Sequence, residues 1–479
     1  MRHSTDSRRS CFSPTALIAA ILAAGLLLPA CSILPSKKSV QTAAVVRPPE
    51  PAVKPPPAQP DLSLYRNGQI DPRVRALSEK LQAAAFRNPA TGLEDLTAAL
   101  VGQEKDSFMK IKLIHDWICV NISYDVAMLK NQFAADQDIE HVMNSRKAVC
   151  SGYSRVFQAM AEFAGIPCVI VSGYTKNQAG SRGLTAGNSH AWNIVQINGG
   201  RYIVDTTFDA GHVKDWIFVR RYSTDNLFVD PQVSLYMRYP KQDEQQLVAH
   251  PISPEEFLNS PDIENAFFSY GLKLPSSGIS WKMAAAGTFS LDLGLAKPGI
   301  VIDAVFSDPN GVEVEQGTMI QKLSPDSRRI LVRMSSTGLH TLELFAKDIE
   351  EKGSDSPIPT SKSEGPLQKV LTFQLDNAAT SRQGRFPLFY AQYQNALGDS
   401  LIEPLSGDLR RGEKVRFSYT TPAAAKAALL ANDVFFPMEK GSDGVFRLEM
   451  DLPAADSIKL ATTENGKDYW VAVVWRIVF

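Results

Sequence analysis

Residues 147–160 read KAVCSGYSRVFQAM and place Cys150 where a helix is predicted to begin. The apolar side chains recur at three- and four-residue spacing, which predicts a helix over about 148–164, closed by Gly165 and Pro167. At a helix N-terminus, free backbone N–H groups and the helix dipole stabilise a thiolate and can later hold an oxyanion. The stretch therefore predicts either a nucleophilic cysteine or a packed one.

A base and a group that orients it follow in residues 189–209, which read SHAWNIVQINGGRYIVDTTFD. A cysteine nucleophile needs both, since the base takes the thiol proton and the third group fixes the base. HAWNIVQI and RYIVDTTF read as the two strands of a hairpin around Asn-Gly-Gly. His190 on the first strand and Asp205 on the second are the candidates.

The turn of this hairpin decides whether the two side chains meet. A two-residue turn, at Asn198-Gly199 or at Gly199-Gly200, puts His190 and Asp205 on one face of the sheet. With Asn198-Gly199, Asp205 faces Trp192 and lies diagonal to His190, at about 7–8 Å. A regular three-residue turn would separate them unless a bulge restored the match.

The same residues are also compatible with structural roles or with a metal site. Cys150 can be a packing residue, and His190 and Asp205 can each be structural. A zinc site from these three with His212 is possible, but no short ligand pair such as C-x-x-C supports it. A disulfide between Cys150 and Cys168 is possible too, but it would not explain the hairpin.

The other cysteines have different surroundings. Cys119 lies in FMKIKLIHDWICVNI, which is apolar at helical spacing, and Cys168 lies in CVIVSGY, a predicted buried strand. Cys11 falls in the N-terminal signal, and Cys31 is a candidate for lipid attachment. With three cysteines left, at least one thiol stays free in an oxidising compartment.

The N-terminus is typical of an exported chain. Arginines precede the apolar run PTALIAAILAAGLLL, which at about fifteen residues suits a signal peptide better than a membrane span. It ends in LPAC, with Leu28 and Ala30 before Cys31, and resembles a bacterial lipobox. The resemblance implies a lipid on Cys31 and cleavage of the chain before it. Serine at position 32 resembles the pattern of lipoproteins that are exported to the outer membrane, which predicts a chain anchored there and facing the periplasm. The alternative is a plain secretory signal.

Composition limits what the rest can do. The chain has 479 residues and a net charge of −1, which predicts two to four domains and no general attraction to nucleic acid. RPPEPAVKPPPAQP, near the N-terminus, is too rich in proline to form a core and is typical of a spacer. No motif for calcium, a nucleotide or a flavin is visible, so no cofactor is predicted.

The chain changes character near residue 265. Before it, helices are predicted over 72–122 and strands at CVIVSGY and in the hairpin. After it, short alternating runs separated by turn residues predict two β-sandwiches, and 350–366 reads as an exposed loop. The runs are TFSLDLGL, GIVIDAVFSD, RRILVRMSS, LHTLELFAKD and QKVLTFQLD in the first sandwich, then PLFYAQYQNA, KVRFSYTT, AALLAND, GVFRLEMDL, SIKLATT and YWVAVVWRIVF in the second.

Taken together, AVCSGYSRVFQAMAEFAGIPCVIVSGY, SHAWNIVQINGGRYIVDTTFDAG and the upstream IHDWICVNISYD resemble the transglutaminase-like superfamily. The resemblance is greatest to the kyphoscoliosis-peptidase-like branch and covers about residues 90–257. It implies Cys150 as nucleophile, His190 as base and Asp205 as orienter. Trp192 matches as a possible wall of the site, or is a half-buried strand aromatic, and the family's Gly-Tyr turn recurs after the cysteine.

One downstream segment departs from that branch. Similar proteins usually have a histidine before Phe-Pro, and later Trp-Gln-Leu-Leu. Here Arg238-Tyr239-Pro240 and Gln246-Leu247 stand at those places.

The predicted organisation is a lipoprotein signal peptide over 1–30, a Pro-rich linker over 31–60 and an α+β transglutaminase-like, papain-like core over 61–262. Two all-β immunoglobulin-like sandwich domains follow, over 263–380 and 381–479.

The predicted function is a lipid-anchored envelope enzyme that transfers acyl groups from peptide or side-chain amides through its Cys-His-Asp triad. Hydrolysis by a peptidase or amidase is favoured over transamidation because it needs no second substrate site. The alternative is a non-catalytic transglutaminase-like scaffold that binds envelope proteins or cell wall. The predicted partners are a peptide or protein substrate, the membrane through the anchor, and envelope proteins or cell wall through the sandwiches, with no nucleic acid.

Overall fold

The computed structural model of the chain describes residues 60–82, 89–131, 137–176, 182–348, 367–390 and 399–479. The predicted signal peptide, Cys11, Cys31, nearly all of the linker and the predicted loop 350–366 lie outside these ranges. Within them, no helix combines the length and the apolar character needed to cross a membrane.

The helices of the described chain lie mainly in its N-terminal half, and the region predicted as helical over 72–122 forms three of them. The longest are α3 and α6, and α6 begins at Cys150 as predicted. The bounds are α1 (Pro72–Gln82), α2 (Pro89–Val101), α3 (Ser107–Asn121), α4 (Val126–Asn131), α5 (Ile139–Ser145), α6 (Cys150–Phe163), α7 (Thr206–Ala210), α8 (Pro231–Ser234), α9 (Pro254–Asn259) and α10 (Asn265–Ser269).

A five-stranded antiparallel sheet forms the other layer of the first domain, in the order β8-β5-β4-β3-β9. Two separate two-stranded sheets pair β1 with β2 and β6 with β7. The strands of this region are β1 (Ser123–Tyr124), β2 (Lys147–Ala148), β3 (Cys168–Thr175), β4 (Ser189–Ile197), β5 (Gly200–Val204), β6 (Gly211–Lys214), β7 (Ile217–Arg220), β8 (Leu227–Val229) and β9 (Arg238–Pro240). Helices α3 and α6 share one apolar core with strands of this sheet, which includes Trp117, Phe157 and Val195. Burial of large apolar side chains is the main stabilising term for such a layer.

The hairpin β4–β5 has the two-residue turn Asn198-Gly199. Ile197 pairs with Gly200 and Asn193 with Val204, and both turn residues have positive φ, 51° and 83°. Asparagine followed by glycine is the sequence that such a turn favours. The first of the two predicted registers is therefore the one observed.

The second strand of this hairpin is shorter than predicted. RYIVDTTF was expected to be strand throughout, but β5 ends at Val204 and α7 starts at Thr206. Asp205 is the N-cap of α7, because its carboxylate accepts hydrogen bonds from the amides of Thr207 and Phe208. The capping bonds draw those amides away from the sheet.

The rest of the described chain forms β-sandwiches. The first packs the five-stranded sheet β10-β18-β17-β14, with β12 beside β18, on the four-stranded sheet β11-β13-β16-β15. Its strands are β10 (Asp262–Ile263), β11 (Leu272–Lys273), β12 (Lys282–Ala285), β13 (Thr288–Leu295), β14 (Ile300–Ser307), β15 (Thr318–Ser324), β16 (Ser327–Arg333), β17 (Gly338–Asp348) and β18 (Gln368–Asn377).

The second sandwich packs the six-stranded sheet β19-β28-β27-β23-β24, with β21 beside β28, on the four-stranded sheet β20-β22-β26-β25. Its strands are β19 (Leu388–Phe389), β20 (Ser400–Glu403), β21 (Asp408–Arg410), β22 (Lys414–Thr420), β23 (Lys426–Ala431), β24 (Val434–Pro437), β25 (Glu439–Lys440), β26 (Val445–Asp451), β27 (Ser457–Thr463) and β28 (Trp470–Val478). Of the predicted strand PLFYAQYQNA, only Leu388–Phe389 is strand, and 391–398 lies outside the described residues.

Candidate active site

Cys150 is the first residue of α6, and its helix N-terminus is fixed by the chain before it. Val149 is the N-cap, with extended backbone (φ −92°, ψ 178°) and no side-chain cap. Its amide donates to the side-chain oxygen of Gln137 at 2.8 Å, which holds the turn from outside. Cys150 itself is half-buried, so its thiol stands at the amide end of a fourteen-residue helix.

His190 lies on β4 and contacts Asp205 directly. The distance from His190 Nε2 to Asp205 Oδ2 is 2.8 Å, and both side chains are buried. The other oxygen, Oδ1, accepts from the amides of Thr207 at 3.1 Å and Phe208 at 3.2 Å. The carboxylate is thus fixed by its capping bonds while it fixes the imidazole.

Strand β4 is attached to α6, which brings the imidazole to the thiol. Asn193 on β4 donates from Nδ2 to the carbonyl of Ser154 on α6, at 3.0 Å. With His190 Nε2 bound to Asp205, Nδ1 is the nitrogen left for Cys150, and it has no fully formed hydrogen bond to any described residue. Such contacts commonly tighten only when substrate is bound.

The charges of the three groups support one another. Burial opposes ionisation of Cys150, but the neighbouring imidazole of His190 and the amide of Ala191 outweigh it, so the pKa of the thiol is lowered. Burial also opposes protonation of His190, but Asp205 and then Cys150 raise its pKa to about 9. Between these two pKa values a thiolate–imidazolium pair is the stable form, and this is the reactive form of a cysteine nucleophile.

Aromatic rings enclose the imidazole. Phe208 stacks on His190 with ring centroids 4.5 Å apart and 13° between the planes. Trp192, the predicted wall, lies 5.9 Å from the imidazole and is only 1% exposed. Burial, and then the charge of Cys150, raise the pKa of Tyr124 on β1. The rings keep water from much of the imidazole, which strengthens its contact with Asp205.

Neither of the two alternatives that the sequence left open, a disulfide and a zinc site, is formed among the described residues. Cys119, Cys150 and Cys168 are all free, so Cys150 and Cys168 form no disulfide. His212 lies on β6, and among the residues described, His, Cys, Asp and Glu side chains form no group of three or more able to hold a metal ion.

Three neighbours of the triad did not follow from the residue pattern. Phe208 was expected on a strand, and Tyr124 stood in the quoted IHDWICVNISYD without a role. Arg238 on β9 lies with Nη2 3.5 Å from Asp205 Oδ2, and its side chain is fully buried. In the sequence, Arg238 stands out only because similar chains usually have a histidine at this position.

Two family models match the regions in which the triad and the first sandwich lie. Residues 94–206, which contain the triad, match the model of the transglutaminase-like superfamily, and residues 254–388 match a KY-like, immunoglobulin-like domain. The chain therefore carries a transglutaminase-like core followed by an immunoglobulin-like β-rich region, which confirms the predicted resemblance and fold class.

Curated relatives are similar over part of their length. Kyphoscoliosis peptidase of Mus musculus is 27% identical over 312 residues, which is 64% of this chain and 46% of that protein. The Homo sapiens protein of the same name is 26% identical over 56% of this chain and 40% of its own. Hillarin of Drosophila melanogaster is 24% identical over 52% of this chain and 32% of its own. The chain thus spans less than half of each of these relatives.

Proposed function

We propose that the chain is a cysteine acyl-transfer enzyme that acts on peptide or side-chain amides. One observation carries the proposal: Cys150, with a lowered thiol pKa, stands at the start of α6 beside an imidazole that Asp205 holds at 2.8 Å. An intact nucleophile, base and orienter favour activity over a purely scaffolding role.

The reaction follows from these groups. The Cys150 thiolate attacks the amide carbonyl, and the amides at the start of α6 face the oxyanion that develops. His190 then gives its proton to the leaving amine, the C–N bond breaks and a thioester remains. An incoming water or amine loses a proton to His190, attacks the thioester and releases the thiol. Water gives a carboxylic acid, and an amine gives a new amide.

We favour water as the acceptor. Hydrolysis needs no second substrate site, and two of the similar proteins carry the name peptidase. The proposed substrates are envelope proteins or cell-wall peptides, because of the proposed export of the chain. In the alternative, a non-catalytic scaffold, the sandwiches would bind the same partners without chemistry.

The acceptor can be read from the products. A panel of protein and cell-wall peptide substrates is incubated with the chain in water labelled with heavy oxygen, together with a labelled primary amine. We expect heavy oxygen in a new carboxylate and none of the amine in product. Amine incorporation that depends on Cys150 would mean transamidation, and no product with any substrate would favour the scaffold.

We further propose that Cys31 carries a lipid that anchors the chain to the outer membrane, facing the periplasm, with 31–60 as a spacer. The full chain, produced in a bacterium fed a clickable fatty acid, should take up the label. Cys31→Ala should lose it entirely, and Cys11→Ala, the matched control, should keep it. Label on Cys31→Ala, or none on the wild type, would refute the anchor.

A further inference from the structure

Arg238 and Asp205 approach His190 from opposite sides of its strand, β4. Arg238 lies on β9, and in the order β8-β5-β4-β3-β9 two strands separate it from β5. By register, Arg238 faces Thr175, and two residues along β3 Gly173 faces both His190 and Pro240. Paired residues share a face, so Arg238 points to the same side as His190.

A glycine opens the way across the sheet. A Cβ atom at Gly173 would lie 2.4 Å from Cη2 of Trp192 and 2.3 Å from the carbonyl oxygen of Tyr239. Without it, Trp192 crosses over β3, and the guanidinium of Arg238 lies 6.0 Å from the Trp192 ring and 5.2 Å from that of Phe208. Both rings also flank His190. The cation and the imidazole therefore share one aromatic enclosure.

The charged contacts of Arg238 are few. Nη2 approaches Asp205 Oδ2 at 3.5 Å and donates to Oδ1 of Asn226, whereas Nε and Nη1 have no partner among the described residues. Asn226 in turn donates to the carboxylate of Asp209 on α7, at 3.0 Å from its Nδ2. Burying a cation is costly unless anions face it. The contact with Asp205 therefore indicates an electrostatic role for Arg238 and not packing alone.

We propose that Arg238 is a positioning residue of the active site: its guanidinium holds the Asp205 carboxylate in place and supplies the positive charge that the thiolate form of the site needs. This inference rests on the proposed function. The Cys150 thiolate, the His190 imidazolium, the Asp205 carboxylate and the Arg238 guanidinium together carry no net charge. Without Arg238, the other three groups carry a net charge of −1.

The sign of the effect follows from Coulomb's law. A nearby cation favours the deprotonated form of every acid around it, so it lowers the pKa of the thiol and that of the imidazolium. Burial opposes ionisation of the Asp205 carboxylate, but the charges of His190 and then of Arg238 lower the pKa of this group. The titratable groups that face this centre are Asp205 from the end of β5, His190 from β4, Cys150 from α6, Tyr124 from β1 and Asp209 from α7, beyond which lies His115 of α3.

The test is the rate of alkylation by iodoacetamide against pH, in the full chain carrying Cys11→Ala and Cys31→Ala. The wild-type background should show a lower step, where the thiolate forms, and an upper step, where the imidazolium loses its proton. In Arg238→Met both steps should move up by about one pH unit. Arg238→Lys keeps the charge and should restore both steps.

A matched control separates charge from packing. Arg333 is another buried arginine, on β16, which donates to main-chain carbonyls and lies outside the transglutaminase-like core. Arg333→Met should lower the unfolding temperature but leave both steps in place. Should Arg238→Met fail to fold, Arg238→Gln serves the same test, because its amide can still donate to Asn226 without charge.

Two results would overturn the inference: steps in Arg238→Met that coincide with wild type, or steps in Arg238→Lys displaced as far as in Arg238→Met. A wild-type profile without the lower step would reject the proposed function and this inference together. The wild-type profile thus reports on the function, and the difference between variants reports on Arg238.

Discussion

Changing Cys150 to alanine should lower acyl transfer by ~10⁴-fold or more, to the background rate. The sulfur is the atom that forms the thioester, and no neighbouring group can replace it. The measurement is the formation of acyl-enzyme from an activated ester, followed by intact mass, together with the turnover of any peptide substrate found.

The matched control for this change is Cys168→Ala. Cys168 is buried on β3, and burial raises the pKa of its thiol to about 12, so it is a poor nucleophile. Its variant should form acyl-enzyme at the wild-type rate after correction for folded fraction. Acyl-enzyme of wild-type yield in Cys150→Ala would place the nucleophile elsewhere.

Changing Asp205 to asparagine should lower acyl transfer by ~10³–10⁴-fold. It should also lower the free energy of unfolding, because the buried guanidinium of Arg238 loses the carboxylate that faces it. The amide oxygen can still cap α7 by accepting from Thr207 and Phe208, but it no longer offers the imidazole a negative charge. Asp205→Ala should lose as much activity and, in addition, about 1 kcal/mol of unfolding free energy from the lost cap. Kinetics and chemical denaturation measure the two effects separately.

Asp230 provides the control for that pair. It caps α8 in the same way, accepting from the amides of Gln232 and Val233. Asp230→Asn should leave acyl transfer unchanged. If Asp205→Asn were as active as Asp230→Asn, the carboxylate would serve as a helix cap and not as the orienter of His190.

Local signals in the sequence account for most of the site. Periodicity and the closing Gly165 place α6, and Asn198-Gly199 selects the turn that sets the hairpin register. These features depend on residues close together in the chain, so side-chain spacing and turn chemistry suffice to predict them. The register in turn puts His190 and Asp205 on one face, as the two-residue turn required.

What the pattern missed depends on competition or on distant contacts. In RYIVDTTF residues that favour strands continue past Val204 as Thr206, Thr207 and Phe208, but the capping bonds of Asp205 stop the strand. An Asp followed by Thr-Thr is a helix-start signal that could have revealed this. Arg238 could not be assigned in this way, since its contact with Asp205 arises from the order of strands in the sheet. The sequence also did not predict β12, which has four residues, or β15, whose residues TMIQKLS lack a clear apolar–polar alternation.

The central claim is that Cys150 is an activated nucleophile, and the alkylation rate against pH tests it most directly. The full chain with Cys11→Ala and Cys31→Ala is compared with the same chain carrying Cys150→Ala or His190→Ala. An ordinary thiol titrates near pH ~8.5. The pKa of Cys150 is lowered and that of His190 is raised to about 9. At pH values between these two, Cys150 should be a thiolate and His190 an imidazolium.

The account predicts one fast-reacting thiol whose rate rises at lower pH than that of an ordinary thiol, which titrates near pH ~8.5. The rate should change again near pH 9, where His190 loses its proton. The fast reaction should vanish in Cys150→Ala and move to higher pH in His190→Ala. A slow Cys150 with an ordinary midpoint, unchanged by His190→Ala, would contradict the enzyme and leave the scaffold as the function of this chain.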